Sequence, residues 1–89
     1  MEIQKEVESW MKKKKYSYWK PLAILARLTE ELGEVAREVN ILEGSKKVKK
    51  NEARGDLEVE LGDLLFTIGA LANQMQLDLN KGFQEALKK

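Results

Sequence analysis

PLAILARLTEELGEVAREVNILE, residues 21–43, decides the fold. Pro21 suits the first turn of a helix, where its missing N–H would have no partner anyway. Leu22, Leu25, Leu28, Leu32, Val35, Val39 and Leu42 then recur at helical spacing as far as Gly44, a plausible C-terminal cap. The spacing predicts a helix from Pro21 to Gly44 with this apolar stripe turned to a core.

The same reading extends outward from that helix. Ile3, Val7, Trp10 and Met11 mark one face of a first helix that runs into Lys12–Lys15, and Tyr16-Ser17-Tyr18-Trp19-Lys20 reads as a connector. Gly44 to Gly55 reads as a basic loop. Asp56 is placed to cap a third helix with apolar positions Leu57, Leu61, Leu64, Leu65, Ile68, Leu71, Ala72 and Met75. Asp78 is placed to cap a short fourth helix with Leu79, Phe83 and Leu87 inward. No strand alternation or internal repeat interrupts the series. The expected fold is all-α, a helical bundle built around one long helical hairpin and spanning residues 1–89 as a single domain.

Composition narrows the chemistry. Hydrophobic residues make up 43% and charged residues 35%, a globular balance, and the longest apolar run, Leu22 to Ala26, is too short to span a bilayer. The first ten residues hold three glutamates and no apolar run, so no signal peptide is expected and the expected location is cytoplasmic. Cysteine and histidine are both absent. That excludes disulfides, thiolate zinc sites, a Ser-His-Asp triad and imidazole metal ligands. A domain of 89 residues buries only about 60% of its unfolded surface, so a homodimer or a dimer of dimers is expected.

The net charge of +1 conceals a block pattern. Residues 1–20 carry six lysines and three glutamates (+3), and residues 21–43 carry five glutamates and two arginines (−3). Residues 44–55 carry five bases and one glutamate (+4), residues 56–78 five acids and no base (−5), and residues 79–89 three lysines and one glutamate (+2). Two acidic helices thus alternate with basic segments.

On a helical wheel, Glu34 falls about 60° to one side of Glu31, with Arg27 and Glu38 between them, and the apolar residues centre about 80° to the other side. In the third helix Asp63 falls about 60° from Glu60, Thr67 lies between them, and the leucines again centre about 70° away. Glu31-Leu-Gly-Glu34 and Glu60-Leu-Gly-Asp63 are therefore one device used twice. If the two core stripes face each other, four carboxylates converge along one edge. A solvated acidic face is the bland alternative, and Arg27 and Arg37 favour it on the second helix. On the third, no base lies between Asp56 and Asp78 to neutralise Glu60 and Asp63. An all-oxygen carboxylate set favours Mg²⁺, with Mn²⁺ as the alternative, and such a metal keeps positions open for phosphates.

These residues resemble a known family. Glu30-Glu31-x-x-Glu34 and Glu60-x-x-Asp63, on successive helices around a basic segment, resemble the MazG-like nucleotide pyrophosphohydrolases of the all-α NTP pyrophosphohydrolase superfamily. Pro21-Leu-Ala and Arg27 through Asn40 look most like the short YpjD-type members. The resemblance covers roughly residues 18 to 80. It implies Mg²⁺-dependent hydrolysis of a nucleoside triphosphate to the monophosphate and pyrophosphate, as in nucleotide-pool housecleaning. It further implies that Glu31, Glu34, Glu60 and Asp63 bind metal and that Glu30 orients or deprotonates the attacking water. Such proteins commonly continue past the fourth helix with an Asn-x-Lys-Phe-type segment that helps bind phosphates. The corresponding region here is Leu87-Lys88-Lys89, where Lys89 stands in for that lysine and the asparagine is unmatched. This implies phosphate contacts from elsewhere or weaker catalysis.

Further substrate contacts are expected from Trp19, with Tyr16 and Tyr18, stacking on a base, and from Lys47 and Lys50, with Lys46 and Lys49, attracting phosphates. Packing of the corner between the first two helices is the alternative for the aromatics, and a solvated loop for the lysines. The rival to an enzyme is a non-catalytic helical interaction module that uses its apolar surfaces for docking. Nucleic-acid binding is disfavoured because the lysines do not line one face.

Overall fold

The computed structural model describes residues 2–44 and 56–89 in full and the backbone of residues 50–55. Among the described residues four helices follow one another: α1 (Ile3–Lys14), α2 (Pro21–Glu43), α3 (Lys50–Gln74) and α4 (Leu79–Leu87). No strand occurs among the described residues. α3 is the central element, with α2 packed along it as a long hairpin and α1 packed on another of its faces. The all-α bundle around a helical hairpin is thus the observed architecture.

Local chemistry explains most of the element ends. Pro21 occupies the first turn of α2, and Asp78 caps α4 by accepting the Lys81 N–H at 3.0 Å. α1 and α3 close in one way. Lys15 (φ 59°) and Gln76 (φ 56°) adopt the left-handed conformation, and the next amide donates back to the carbonyl five residues earlier, Tyr16 to Met11 and Leu77 to Ala72. That is the Schellman arrangement with non-glycine residues in the glycine place. Gly44 does cap α2, donating to the Asn40 carbonyl at 2.8 Å, but with an extended backbone (φ −82°, ψ 174°) in place of the left-handed one.

Three expectations need correction. α3 begins at Lys50, so Asp56 lies inside the helix and does not cap it. Glu52, Ala53 and Arg54 are good helix formers, and one glycine at 55 does not outweigh them. The supposed loop lysines at 46, 47 and 49 lie outside the described residues. α2 buries a different stripe from the one its leucines suggest. Ile24 and Glu31 are buried, and Leu28, Val35, Glu38 and Leu42 half-buried, whereas Leu22, Leu25, Leu32 and Val39 are exposed. α4 buries nothing fully, and Phe83 and Leu87 are exposed.

The core is small. Val7, Met11 and Ala70 form its centre, with Ile3, Tyr18 and Phe66 packed around them. Gly69 permits α1 to approach α3 closely, since a Cβ there would lie 3.0 Å from a methyl of both Ile3 and Val7. A polar junction then ties α1 to the far end of α3. Gln4 donates to Asn73 Oδ1 (2.9 Å) and to the Leu77 carbonyl (2.7 Å), and its own Oε1 accepts the Leu79 N–H (2.7 Å). Asn73 donates back to the Gln4 carbonyl (3.0 Å) and to the Tyr18 hydroxyl (2.9 Å). These bonds fix both the start of α4 and the connector that carries the aromatics.

Candidate active site

Glu31 stands in the α2–α3 interface and not beside it. It is 5% exposed, and its Oε1 accepts the hydroxyl of Thr67, itself 7% exposed, at 2.5 Å. Its other oxygen, Oε2, lies 3.6 Å from Arg27 Nε. The same guanidinium reaches Glu30 Oε2 at 3.7 Å through Nη1, and Glu30 is otherwise open to solvent. A carboxylate so buried requires a donor and a counter-charge, which Thr67 and Arg27 respectively supply.

Glu60 faces the same interface from α3. Its Oε2 is buried and makes no hydrogen bond among the described residues. Burial pushes the Glu60 carboxyl above its ordinary range, the neighbouring Glu38, Glu34 and Asp56 carboxylates push it further, and Arg37 offsets part of this. Glu34 is exposed on the α2 side. Asp63 is exposed and turns toward α1, where it borders a second groove with Glu6, Trp10 and Phe66. Among the described residues, no three carboxylates are gathered closely enough to hold a metal ion as they stand. The donor chemistry nevertheless fits one. A buried carboxylate oxygen without a partner, crowded by further carboxylates, is a position that a hard cation would satisfy.

Beside Glu31 opens a cleft of about 400 Å³. Tyr16, Tyr18 and Trp19 form its aromatic wall, Phe66 and Ala70 line it from α3, and Arg27, Glu31 and Thr67 occupy its polar end. Tyr18 thus packs the corner against the core while it lines the cleft, and Tyr16 and Trp19 stay largely exposed on the cleft wall. Trp10 fixes this wall from behind, tilted against Tyr16 at 5.5 Å and edge-on to Phe66 at 5.2 Å between ring centroids. Burial raises the Tyr18 phenol above its ordinary value, the Asn73 hydrogen bond lowers it, and the Glu8 carboxylate raises it again. Trp19 keeps 60% of its surface exposed and lines the cleft.

The structure therefore joins Trp19 and Glu31 in one cleft, with Glu30 beside it through Arg27, and sets Glu60 on the facing helix. Lys89 is exposed at the end of the chain and does not line the cleft. Lys47 lies outside the described residues, as does the side chain of Lys50. Sequence reasoning assigned no role to Thr67, Phe66 or Asn73. Thr67 had left a signal, since it sits on the Glu60–Asp63 face between two core residues. Asn73 left none, because its partners are 55 and 69 residues away.

Comparison with known proteins bears on what this site does. The profile of the MazG nucleotide pyrophosphohydrolase domain matches residues 20–89. The YpjD protein of Bacillus subtilis strain 168 is 43% identical over 88 residues, which cover 99% of this chain and 79% of YpjD. A crystal structure of Bacillus subtilis YpjD superimposes with a TM-score of 0.78 at 42% identity, covering 96% of this chain and 84% of that one. The crystal structure of the Bacillus-conserved MazG protein, a nucleotide pyrophosphohydrolase, also gives a TM-score of 0.78, at 40% identity, with 97% and 82% coverage.

Proposed function

Because the chain belongs to the MazG nucleotide pyrophosphohydrolase family, we propose that it hydrolyses a nucleoside or deoxynucleoside triphosphate to the monophosphate and pyrophosphate. One observation carries this reading: a buried carboxylate, Glu31, forms the polar end of an aromatic-walled cleft large enough for a base. Stacking between Trp19, Tyr16 and Tyr18 suits a nucleobase of any kind, since each presents a π-face. The phosphate chain then runs toward the acidic interface.

Glu31, Glu34, Glu60 and Asp63 are the residues that would hold Mg²⁺ or Mn²⁺. Once bound, such an ion supplies neutralisation of the phosphate charge and a Lewis acid for the P–O bond that breaks. Glu30, exposed beside the cleft, aligns a water for attack on the α-phosphorus and accepts its proton, and pyrophosphate leaves. Glu34 and Asp63 would have to turn from their exposed positions to reach such an ion. Thr67 holds Glu31 in place throughout.

The reading extends to assembly and setting. The exposed residues Leu22, Leu25, Leu32 and Val39 follow one another at spacings of three, seven and seven along α2, and a second copy of the chain covers them in a homodimer, itself able to pair as a dimer of dimers. Among the described residues, no helix is long and apolar enough to cross a membrane. A cytoplasmic setting, where nucleoside triphosphates are abundant, and housecleaning of that pool belong to the same proposal.

The test is release of pyrophosphate from a panel of canonical and damaged nucleotides, with and without Mg²⁺. The parent chain is expected to release it only with the metal, and Glu60→Ala or Asp63→Ala to lose most of the rate. Unchanged release by those variants would place the site elsewhere. No release from any nucleotide would leave a helical interaction module in its stead.

A further inference from the structure

Arg27 is more than a surface ion pair. It is 49% exposed on its side chain and reaches Glu30 and Glu31 together, at 3.7 and 3.6 Å. Among the described residues it is the one ion-pair partner of the buried Glu31 carboxylate. Helix stability does not account for the pairing, because a base four residues before an acid is the weaker order on a helix. Both distances exceed the roughly 2.7–2.9 Å of a tight charge-assisted hydrogen bond, so the guanidinium rests against the carboxylates without being locked to them. The same side chain lines the cleft with Tyr16 and Trp19.

Resting on the pyrophosphohydrolase reading above, we propose that Arg27 is an exchangeable counter-ion. It neutralises Glu30 and Glu31 while the carboxylates hold no metal, and it turns to the phosphate chain when a metal–nucleotide complex enters. Two cations cannot share the Glu31 carboxylate without repulsion in a partly dry site, so a divalent ion displaces the guanidinium. The displaced group already stands in the cleft where phosphates arrive, and its planar fork matches phosphate oxygens in pairs. Metal and nucleotide then assist each other: the nucleotide draws Arg27 off the ligands that the metal needs. Thermodynamic linkage makes that help mutual.

Thermal melting of the whole chain under titration reads both events without turnover. The titrants are Mg²⁺ alone, and Mg²⁺ with a nucleotide analogue whose α,β-bridging oxygen is replaced by a methylene group. In Arg27→Met the half-saturating Mg²⁺ is expected to fall about 3- to 10-fold and the analogue to bind about 10-fold more weakly, the loss of a hydrogen bond to a charged group. Its mutual enhancement of metal and analogue is expected to vanish. Arg27→Lys keeps the charge but not the fork, so its Mg²⁺ midpoint stays within about 2-fold of the parent's while analogue affinity falls. Weaker Mg²⁺ binding in Arg27→Met, or unchanged midpoints, would overturn the proposal. If Arg27→Met does not fold, unchanged analogue affinity in Arg27→Lys overturns it. A parent chain that Mg²⁺ does not stabilise would sink the functional reading as well; a stabilised parent with unaltered variants sinks this inference alone.

Discussion

Thr67 donates its hydroxyl proton to the Glu31 carboxylate across the α2–α3 interface, and both residues are buried. The Asp63 carbonyl, one turn earlier in α3, lies 3.0 Å from the same hydroxyl. Threonine in a helix commonly gives its proton to that preceding turn. Here the carboxylate competes for it, because an ionised acceptor in a water-poor interface binds a donor more strongly than a carbonyl does. One hydroxyl therefore joins the two acidic helices where α2 would otherwise expose a bare charge to the core.

Thr67→Val keeps the shape and deletes the donor. A buried carboxylate that loses its hydrogen bond costs about 1–3 kcal/mol, and Thr67→Ser is expected to recover most of that. Urea denaturation of the three chains reads the difference. A valine variant as stable as the parent would mean that Arg27 alone satisfies Glu31.

Glu60 gives the pH dependence a sign. Its folded-state pKa is raised by burial and by Glu38, Glu34 and Asp56, so the folded state holds its proton more tightly than the unfolded chain does. Below the unfolded value, about 4.3, the group is protonated in both states. As pH rises through the folded value, ionisation takes stability away. Glu60→Gln is thus expected to melt above the parent at pH 7 and level with it near pH 4, and Mg²⁺ is expected to narrow the pH 7 gap by stabilising the parent alone. A glutamine variant that melts lower at pH 7 would show that the ionised carboxylate already has a partner.

How far the sequence determined this picture depends on how local each cause is. Asp78 was legible as a cap because its partner, the Lys81 amide, is three residues away. That α2 and α3 each bring a carboxylate to their interface was legible from the matched Glu-Leu-Gly-acid repeats, but the convergence of four carboxylates along one edge is not found among the described residues. The phase of α2 was not legible. Its apolar residues fall on two sides, Ile24, Leu28, Val35 and Leu42 on one and Leu22, Leu25, Leu32 and Val39 on the other, and spacing alone merges them into a single stripe. Packing on α3 selects the side that carries Glu31. The ends of α1 and α3 were hidden for another reason. Lys15 and Gln76 take a left-handed conformation that glycine usually fills, so nothing in their identity announces it.

Asn73 and Gln4 are expected to act as one unit, since each donates to the other. Asn73→Ala removes the donor to Tyr18 as well, and Gln4→Ala removes the acceptor that holds the first amide of α4. A double-mutant cycle is expected to give a coupling of about 0.5–3 kcal/mol, with the double variant little worse than either single one. Strict additivity would mean that the two side chains are tied separately, each through the backbone.

The outer face of α2 poses the largest energetic question. Leu22 is 80% exposed and Leu25, Leu32 and Val39 are about half exposed, along one side of a 23-residue helix. Full burial of each such side chain is worth about 1.5–3 kcal/mol, so an uncovered stripe forgoes several kcal/mol that a small core can ill do without. A second copy laying the same stripe against this one recovers it, because a two-fold interface needs only a self-complementary patch. Sedimentation at micromolar concentration is expected to show twice the 10.2 kDa chain mass or a multiple of it. Leu25→Lys with Leu32→Lys brings like charges together across the axis and is expected to yield a monomer with a lower melting temperature that no longer rises with protein concentration. A parent chain that sediments as a monomer would leave the stripe to some other partner, and the melting temperature of the lysine variant would then match the parent's.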